Sequence, residues 1–292
     1  MSMTLTTHLP PAWRDWIAEN LSRGCDPKSL IADMIRASFE PAYASQVVLG
    51  FAHGKPPAGV QAEYVYETPR IAAGNLIRTP DRDVRATLRI ERPAIVFLDD
   101  VLSHAECDAL VERSRDRLTR STTVDPKDGK DAVIEARNSE GTFFQLNADP
   151  FIAMLDRRIA AVMNMPVENG EGLQILHYRT GGLYSPHYDF FAPHESGSKP
   201  HLANGGQRVS SLVIYLNDVE DGGATVFPEL KLQVGPKKGG AVYFEYCNSR
   251  DQIDAKTLHG GMPVLKGEKW IATKWMRQRR YCQAVTNEIA NA

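Results

Sequence analysis

A chain of 292 residues is long enough for one large domain or two smaller ones and buries a core without covalent staples. Apolar residues make up 42% and charged residues 24%, which excludes global disorder, and 34 Lys+Arg against 36 Asp+Glu leave a net charge of −2 with no basic block, so nucleic acid is not an expected partner. No apolar run approaches the roughly eighteen residues of a membrane span, and MSMTLTTHLPPAW has neither the basic nor the apolar stretch of a signal peptide, so no membrane association is expected.

In chain order, Trp13, Trp16, Ile17 and Leu21 fall at helical spacing, and Gly24 stops that helix. Asp26-Pro27 opens a second helix, with Asp as N-cap and Pro in the first turn; Leu30, Ile31, Met34 and Ile35 form its apolar stripe. A third helix is predicted across Tyr43 to Phe51, and Pro56 and Pro57 break the pattern. Residues 58 to 83 give no clear period. The expectation for residues 1–85 is a small, mainly helical region that packs internally or serves as a docking or homodimer surface.

From about residue 84 the pattern changes. Ala94 to Leu98 reads as a buried strand. Ser103 with Glu106 is a capping box ahead of Cys107, Leu110 and Val111. Asp149-Pro150 opens a helix with Ile152, Leu155, Ile159 and Val162 on one face. Leu173 to Tyr178, Val209 to Leu216, Ala241 to Tyr246 and Lys269 to Trp275 then alternate with period two, separated by paired glycines such as Gly181-Gly182 and Gly222-Gly223. Helices followed by many short strands predict an α+β fold, a double-stranded β-helix (jelly roll) with packing helices. Cys25, Cys107, Cys247 and Cys282 are far apart and show no CxxC spacing, so reduced thiols and a cytoplasmic location are expected.

Three signals carry chemistry. The first is His187-Tyr188-Asp189: in an extended strand, residues two apart share a face about 6.5–7 Å apart, close enough to converge on one ion, although a surface His and Asp would look the same. The second is His259. Two His and one carboxylate with open positions form the facial triad of non-haem Fe(II) oxygenases, and zinc could occupy the same donors. The third is Lys269, ten residues further on, sharing a face with Ile271, Thr273, Trp275 and Arg277. A lysine inside a barrel is costly unless it meets an anion. Thr225 and Tyr178 could add hydrogen bonds there, or be ordinary half-buried strand residues.

Together these residues resemble the prolyl 4-hydroxylases, 2-oxoglutarate- and Fe(II)-dependent dioxygenases related to the collagen-modifying enzymes. The likeness runs from about Pro93 to Tyr281 and rests on FLDDVLSHAECDALVE, EARNSEGTFF, EGLQILHYRTGGLYSPHYDFF, GGQRVSSLVIYLNDVEDGGATVFP and LHGGMPVLKGEKWIATKWMR. It implies that His187, Asp189 and His259 bind Fe(II), and that Lys269 pairs with the distal carboxylate of 2-oxoglutarate, helped by Thr225 and Tyr178. O2 and ascorbate would complete the set of cofactors. It further implies a proline-peptide groove lined by Arg137 and Ser139 of the RNS loop and by Glu171, Tyr184, Arg208 and Trp275, with Tyr184 and Trp275 packing on the proline ring. Arg277 departs, because relatives with a well-defined groove carry histidine there. The segment with His194, Glu195, Gly197 and Lys199 is expected to form a flexible cover. The domains expected are then 1–85 helical, 86–281 dioxygenase and 282–292 a tail. The expected reaction is hydroxylation of peptidyl proline, at C4. A free amino acid held by Arg208 or Arg277, a metal-binding sensor module and a cupin-like zinc isomerase are the other readings of the same residues.

Overall fold

In a computed structural model the chain divides into two compact units, Met1–Val65 and Tyr66–Ala292. The structure describes residues 9–53, 64–124, 129, 131–132, 136–193 and 195–282; the expectations for Pro56, Pro57, His194 and the tail beyond Cys282 lie outside them.

The first unit is three short helices, Pro11–Ser22, Pro27–Arg36 and Pro41–Ala52. Asp26 caps the second by accepting from the Lys28 N–H, and Glu40 caps the third by accepting from the Ala42 and Tyr43 N–H groups. That cap moves the third helix start ahead of the expected Tyr43. Ile17, Leu30, Met34, Phe39, Ala44, Val47 and Val48 form its core. Ile35, expected in the stripe, is 41% exposed, because the buried arc of this helix centres on Leu30 and Met34.

The expected boundary near residue 85 falls instead between Val65 and Tyr66. Residues 66–85 belong to the second unit because Leu76–Arg78 and Asp83–Ile90 are strands of its larger sheet. That sheet is antiparallel throughout. Its order is Leu76–Arg78, Asp83–Ile90, Ile95–Asp99, Ala241–Glu245, Arg208–Tyr215, Lys269–Arg277, Leu173–Tyr178, Glu140–Phe144 and Thr119–Arg120. A smaller antiparallel sheet runs Leu232–Val234, Thr225–Phe227, His259–Gly261 and Tyr184–His187. Inner side chains of the two sheets meet: Phe227 packs edge-on against Phe244 at 5.3 Å, and the Tyr215 hydroxyl lies 2.9 Å from Thr225 Oγ1. This is the jelly roll expected from the sequence.

The helices His104–Ser114 and Pro150–Met163 pack on the outer face of the large sheet. Ser103 and Glu106 make the capping box, and Asp149 accepts from the Phe151 and Ile152 N–H groups at 2.9 and 3.0 Å. Arg158 of the second helix reaches Glu106 at 2.8 Å and also holds Asp81, so one guanidinium ties both helices to the turn before Asp83–Ile90. Alternation along Lys269–Arg277 separates the two faces. Lys269, Ile271, Thr273 and Trp275 point into the barrel, while Lys274 meets Asp156 of the outer helix at 2.7 Å.

Candidate active site

The open end of the barrel holds a cavity of about 630 Å³. His187, Asp189 and His259 meet on its wall with one donor atom each, all within 4.8 Å of one another. His187 ends the strand Tyr184–His187 and pairs directly with His259 across the small sheet. Asp189 lies past the end of that strand, so its approach does not come from strand alternation as the spacing suggested. The His187 Nδ1 lies 3.0 Å from the Ser185 carbonyl oxygen, and the His259 Nδ1 lies 3.0 Å from that of Thr257. A carbonyl only accepts, so each Nδ1 carries the proton and each Nε2 turns a lone pair inward, the arrangement of a metal-ligating imidazole. Burial, with His187 adding to it, pushes His259 down to about 4, so it is neutral at physiological pH. Burial opposes the Asp189 charge, but His259, His187 and Arg208 together hold that carboxyl well below the usual range. Two imidazoles and one carboxylate on one wall fit a divalent ion with open positions.

Deeper in the cavity, Lys269 is 3% exposed. Its Nζ sits 5.7 Å from the centre of the Tyr178 ring and 5.9 Å from that of Tyr215, with no carboxylate paired to it among the described residues. Burial alone pushes the ammonium down to about 8. Thr225 faces the same end, and the Tyr215 phenol, kept protonated by burial, donates to its Oγ1, leaving the Thr225 hydroxyl proton for another acceptor. Gly222, three residues ahead of Thr225, lets the chain close against residues 263–265. It has φ +74°, and a Cβ there would come within 2.3 Å of the Pro263 carbonyl oxygen. Tyr178 lines the cavity with Arg137 and Ser139 beside its hydroxyl.

Of the residues expected in the groove, Arg137, Tyr184, Arg208 and Trp275 line the cavity, whereas Ser139, Glu171 and Arg277 do not. Ser139 is fully buried, accepting from Arg137 Nε at 3.2 Å and donating to Ser121 at 2.9 Å. Glu171 is clasped by Arg208 at 2.7 and 2.8 Å and by Arg277 at 2.9 Å. Arg277 is 1% exposed and spends its other terminal nitrogen on the carbonyls of His201 and Asn204. It is a strut behind the wall, because both of its terminal nitrogens are already matched there. Tyr184 also differs from expectation. His187 stacks on its ring at 3.6 Å and 17°, and the Arg137 guanidinium lies over the ring at 4.8 Å. Two such planes do not fit side by side on one face, so both faces of Tyr184 are covered and its edge and hydroxyl remain. Trp275 carries Arg208 on one face at 4.0 Å.

Sequence reasoning passed over Ser211, Tyr215, Tyr246, Gln174 and Phe143. Gln174 and Phe143 line the cavity, Tyr215 holds Thr225, and Ser211 donates to Asp189 Oδ2 at 2.5 Å. Period two from Lys269's neighbours in Leu173–Tyr178 would have found Gln174. Nothing in the sequence marks Tyr246.

Residues 173–277 match the 2OG-Fe(II) oxygenase superfamily. Fold and donor set therefore define a jelly-roll dioxygenase that uses Fe(II), 2-oxoglutarate and O2. Probable prolyl 4-hydroxylase 10 of Arabidopsis thaliana is 39% identical over 208 residues, covering 65% of this chain and 70% of the relative. Prolyl 4-hydroxylase 1 of the same plant is 40% identical over 202 residues, covering 64% and 70%. Among solved structures, the 2OG complex of the viral collagen prolyl hydroxylase vCPH from Paramecium Bursaria Chlorella virus-1 superposes with a TM-score of 0.50 at 30% identity, covering 63% of this chain and 95% of that one. The chain belongs to the prolyl 4-hydroxylase family.

Proposed function

We propose that this enzyme hydroxylates peptidyl proline at C4 in an extended segment, converting 2-oxoglutarate and O2 to succinate and CO2 as the substrate gains one oxygen. The observation that carries the reading is one cavity holding three metal donors on its wall, a buried lysine without an anion at its inner end, and exposed Phe143 and Tyr188 at its lining. An extended proline-rich segment suits such a lining, because it is already ordered and presents rings to aromatic side chains.

His187, Asp189 and His259 are proposed to hold the Fe(II), which when bound supplies the oxygen chemistry that an unactivated C–H requires. Lys269 then gives the distal carboxylate of 2-oxoglutarate a charge-assisted hydrogen bond, Thr225 donates its free hydroxyl proton, and Tyr178 closes the side. The Trp275 Nε1–H is buried with no acceptor among the described residues, and a substrate carbonyl would satisfy it. Arg208 fixes the Trp275 ring from behind. Ascorbate is proposed as the reductant that keeps the metal ferrous. Four free thiols, Cys25, Cys107, Cys247 and Cys282, support a cytoplasmic setting. A free amino acid is the weaker reading, since the pairing of Arg277 and Arg208 with Glu171 leaves its carboxylate no uncommitted arginine at that wall.

The test is succinate release with Fe(II), 2-oxoglutarate and ascorbate against proline-rich peptides and free amino acids, each followed by mass. Peptide-dependent succinate with one oxygen gained on proline is expected. Stimulation by free amino acids alone overturns the peptide assignment.

A further inference from the structure

Asp189 is the one donor of the three that no strand holds, yet a single strand of the opposite sheet holds it at its backbone carbonyl and at one carboxylate oxygen. Arg208 Nη1 reaches the Asp189 carbonyl oxygen at 3.3 Å, and Ser211 Oγ donates to Asp189 Oδ2 at 2.5 Å. These residues are three apart, and strict alternation would put them on opposite faces. The register of Arg208–Tyr215 against Lys269–Arg277 shifts between Arg208 and Ser210, and this bulge turns both inward.

Behind Ser211 stands Tyr246, with its hydroxyl 3.0 Å from Ser211 Oγ. A serine hydroxyl has one proton, and here it goes to a carboxylate that only accepts. Tyr246 is therefore the donor in the second bond. Burial pushes the Tyr246 phenol well above its ordinary range, so it keeps that proton. Ser211 and Tyr246 are both fully buried. The chain Tyr246 to Ser211 to Asp189 thus has a fixed direction and ends on Oδ2, 3.5 Å from His259 Nε2, leaving Oδ1, 3.6 Å from His187 Nε2, as the oxygen with no hydroxyl on it.

We infer that Ser211, backed by Tyr246, is a positioning residue that presents Asp189 to the metal through Oδ1 alone. This rests on the reading of Asp189 as a metal ligand. One carboxylate oxygen and two imidazoles occupy three positions, leaving three for a chelating keto acid and O2; a carboxylate binding through both oxygens would leave only two. Ser211 therefore preserves the open position as well as the ligand's aim.

The test is Co(II) titration of the metal-free, full-length protein, followed by absorbance, beside thermal unfolding of the same samples. Ser211→Ala is expected to weaken Co(II) binding about 10–100-fold, as loss of an outer hydrogen-bond partner does. Ser211→Thr keeps the hydroxyl and is expected to restore affinity to within about threefold, and Tyr246→Phe to fall between them. A structural role alone would lower the melting temperature and leave affinity unchanged. Ser211→Ala binding Co(II) as tightly as wild type, or tighter, overturns the inference while leaving the metal site standing. A wild-type protein that takes up no Co(II) overturns the metal reading and the inference with it.

Discussion

Lys269 and Lys274 stand on opposite faces of one strand in opposite electrostatic conditions: Lys274 is paired with Asp156 at 2.7 Å, and Lys269 is buried with no carboxylate beside it among the described residues. A buried ammonium normally requires a counter-charge, and among the described residues only the outward-facing lysine has one. The inward-facing one is proposed to find its counter-charge in the distal carboxylate of the co-substrate.

The first expectation concerns pH. Burial pushes Lys269 down to about 8 from 10.5, so the folded chain binds fewer protons than the unfolded chain between those values. Stability from this group is lowest below pH 8 and rises through that window, in the absence of 2-oxoglutarate. A bound dianion favours the ammonium and removes the slope. Thermal unfolding from pH 7 to 10, for wild type and Lys269→Met, with and without 2-oxoglutarate, measures this; an identical slope in Lys269→Met contradicts it. The same substitution is expected to raise KM for 2-oxoglutarate about 10–100-fold, the scale of a charge-assisted hydrogen bond.

The outer pair behaves differently. Lys274→Ala leaves the Asp156 carboxylate buried without its cation, with the Asn147 N–H at 2.8 Å as its remaining partner among the described residues. A loss of about 3–5 kcal/mol is expected in urea unfolding. Replacing both partners, as Lys274→Met with Asp156→Leu, is expected to recover a large part of that loss. KM for 2-oxoglutarate should stay within about twofold in each folded variant, because Lys274 faces away from the cavity.

The strand Lys269–Arg277 was legible ahead of the structure from Lys269 to Trp275 because it follows a glycine at 267, and the residues two apart from Lys269 carried the right chemistry. The triad was legible in composition but not in geometry. Asp189 sits beyond its strand, and what holds it depends on a bulge that reverses parity. Counting by twos from Arg208 reaches Ser210 and passes over Ser211. The boundary at Val65 was hidden because Leu76–Arg78 is only three residues long and shows no period. The commitments of Glu171 and Arg277 were hidden because a sequence shows charges and not their partners.

Arg277 gives a prediction of that kind. Its guanidinium joins Glu171 to the carbonyls of His201 and Asn204, which bound the segment after Phe191. Arg277→Ala frees that segment while Arg208 still pairs with Glu171. KM for a proline-rich peptide is expected to rise about tenfold, the loss of one to two charge-assisted bonds, with KM for 2-oxoglutarate unchanged. Steady-state kinetics varying each substrate separately measures the split, and an equal rise in both constants would show that the whole barrel had been disturbed.

Gly260 offers the sharpest geometric test of the site. It follows His259 in the strand paired with Tyr184–His187, and a Cβ there would lie 2.9 Å from the Tyr184 carbonyl oxygen and 3.1 Å from Pro186 N. Both are backbone atoms of the neighbouring strand, so no side-chain rotation relieves the clash, and Gly260→Ala must separate the strands that carry His187 and His259. A displacement of about 1 Å at a reacting centre costs on the order of 100-fold in rate. Turnover is therefore expected to fall on that scale and Co(II) affinity to fall with it, while circular dichroism still reports a folded barrel. Gly235 serves as the control, since a Cβ there meets nothing within 4 Å and Gly235→Ala should retain turnover and metal affinity. If Gly260→Ala matches Gly235→Ala in both readouts, the spacing of the two strands does not set the metal site.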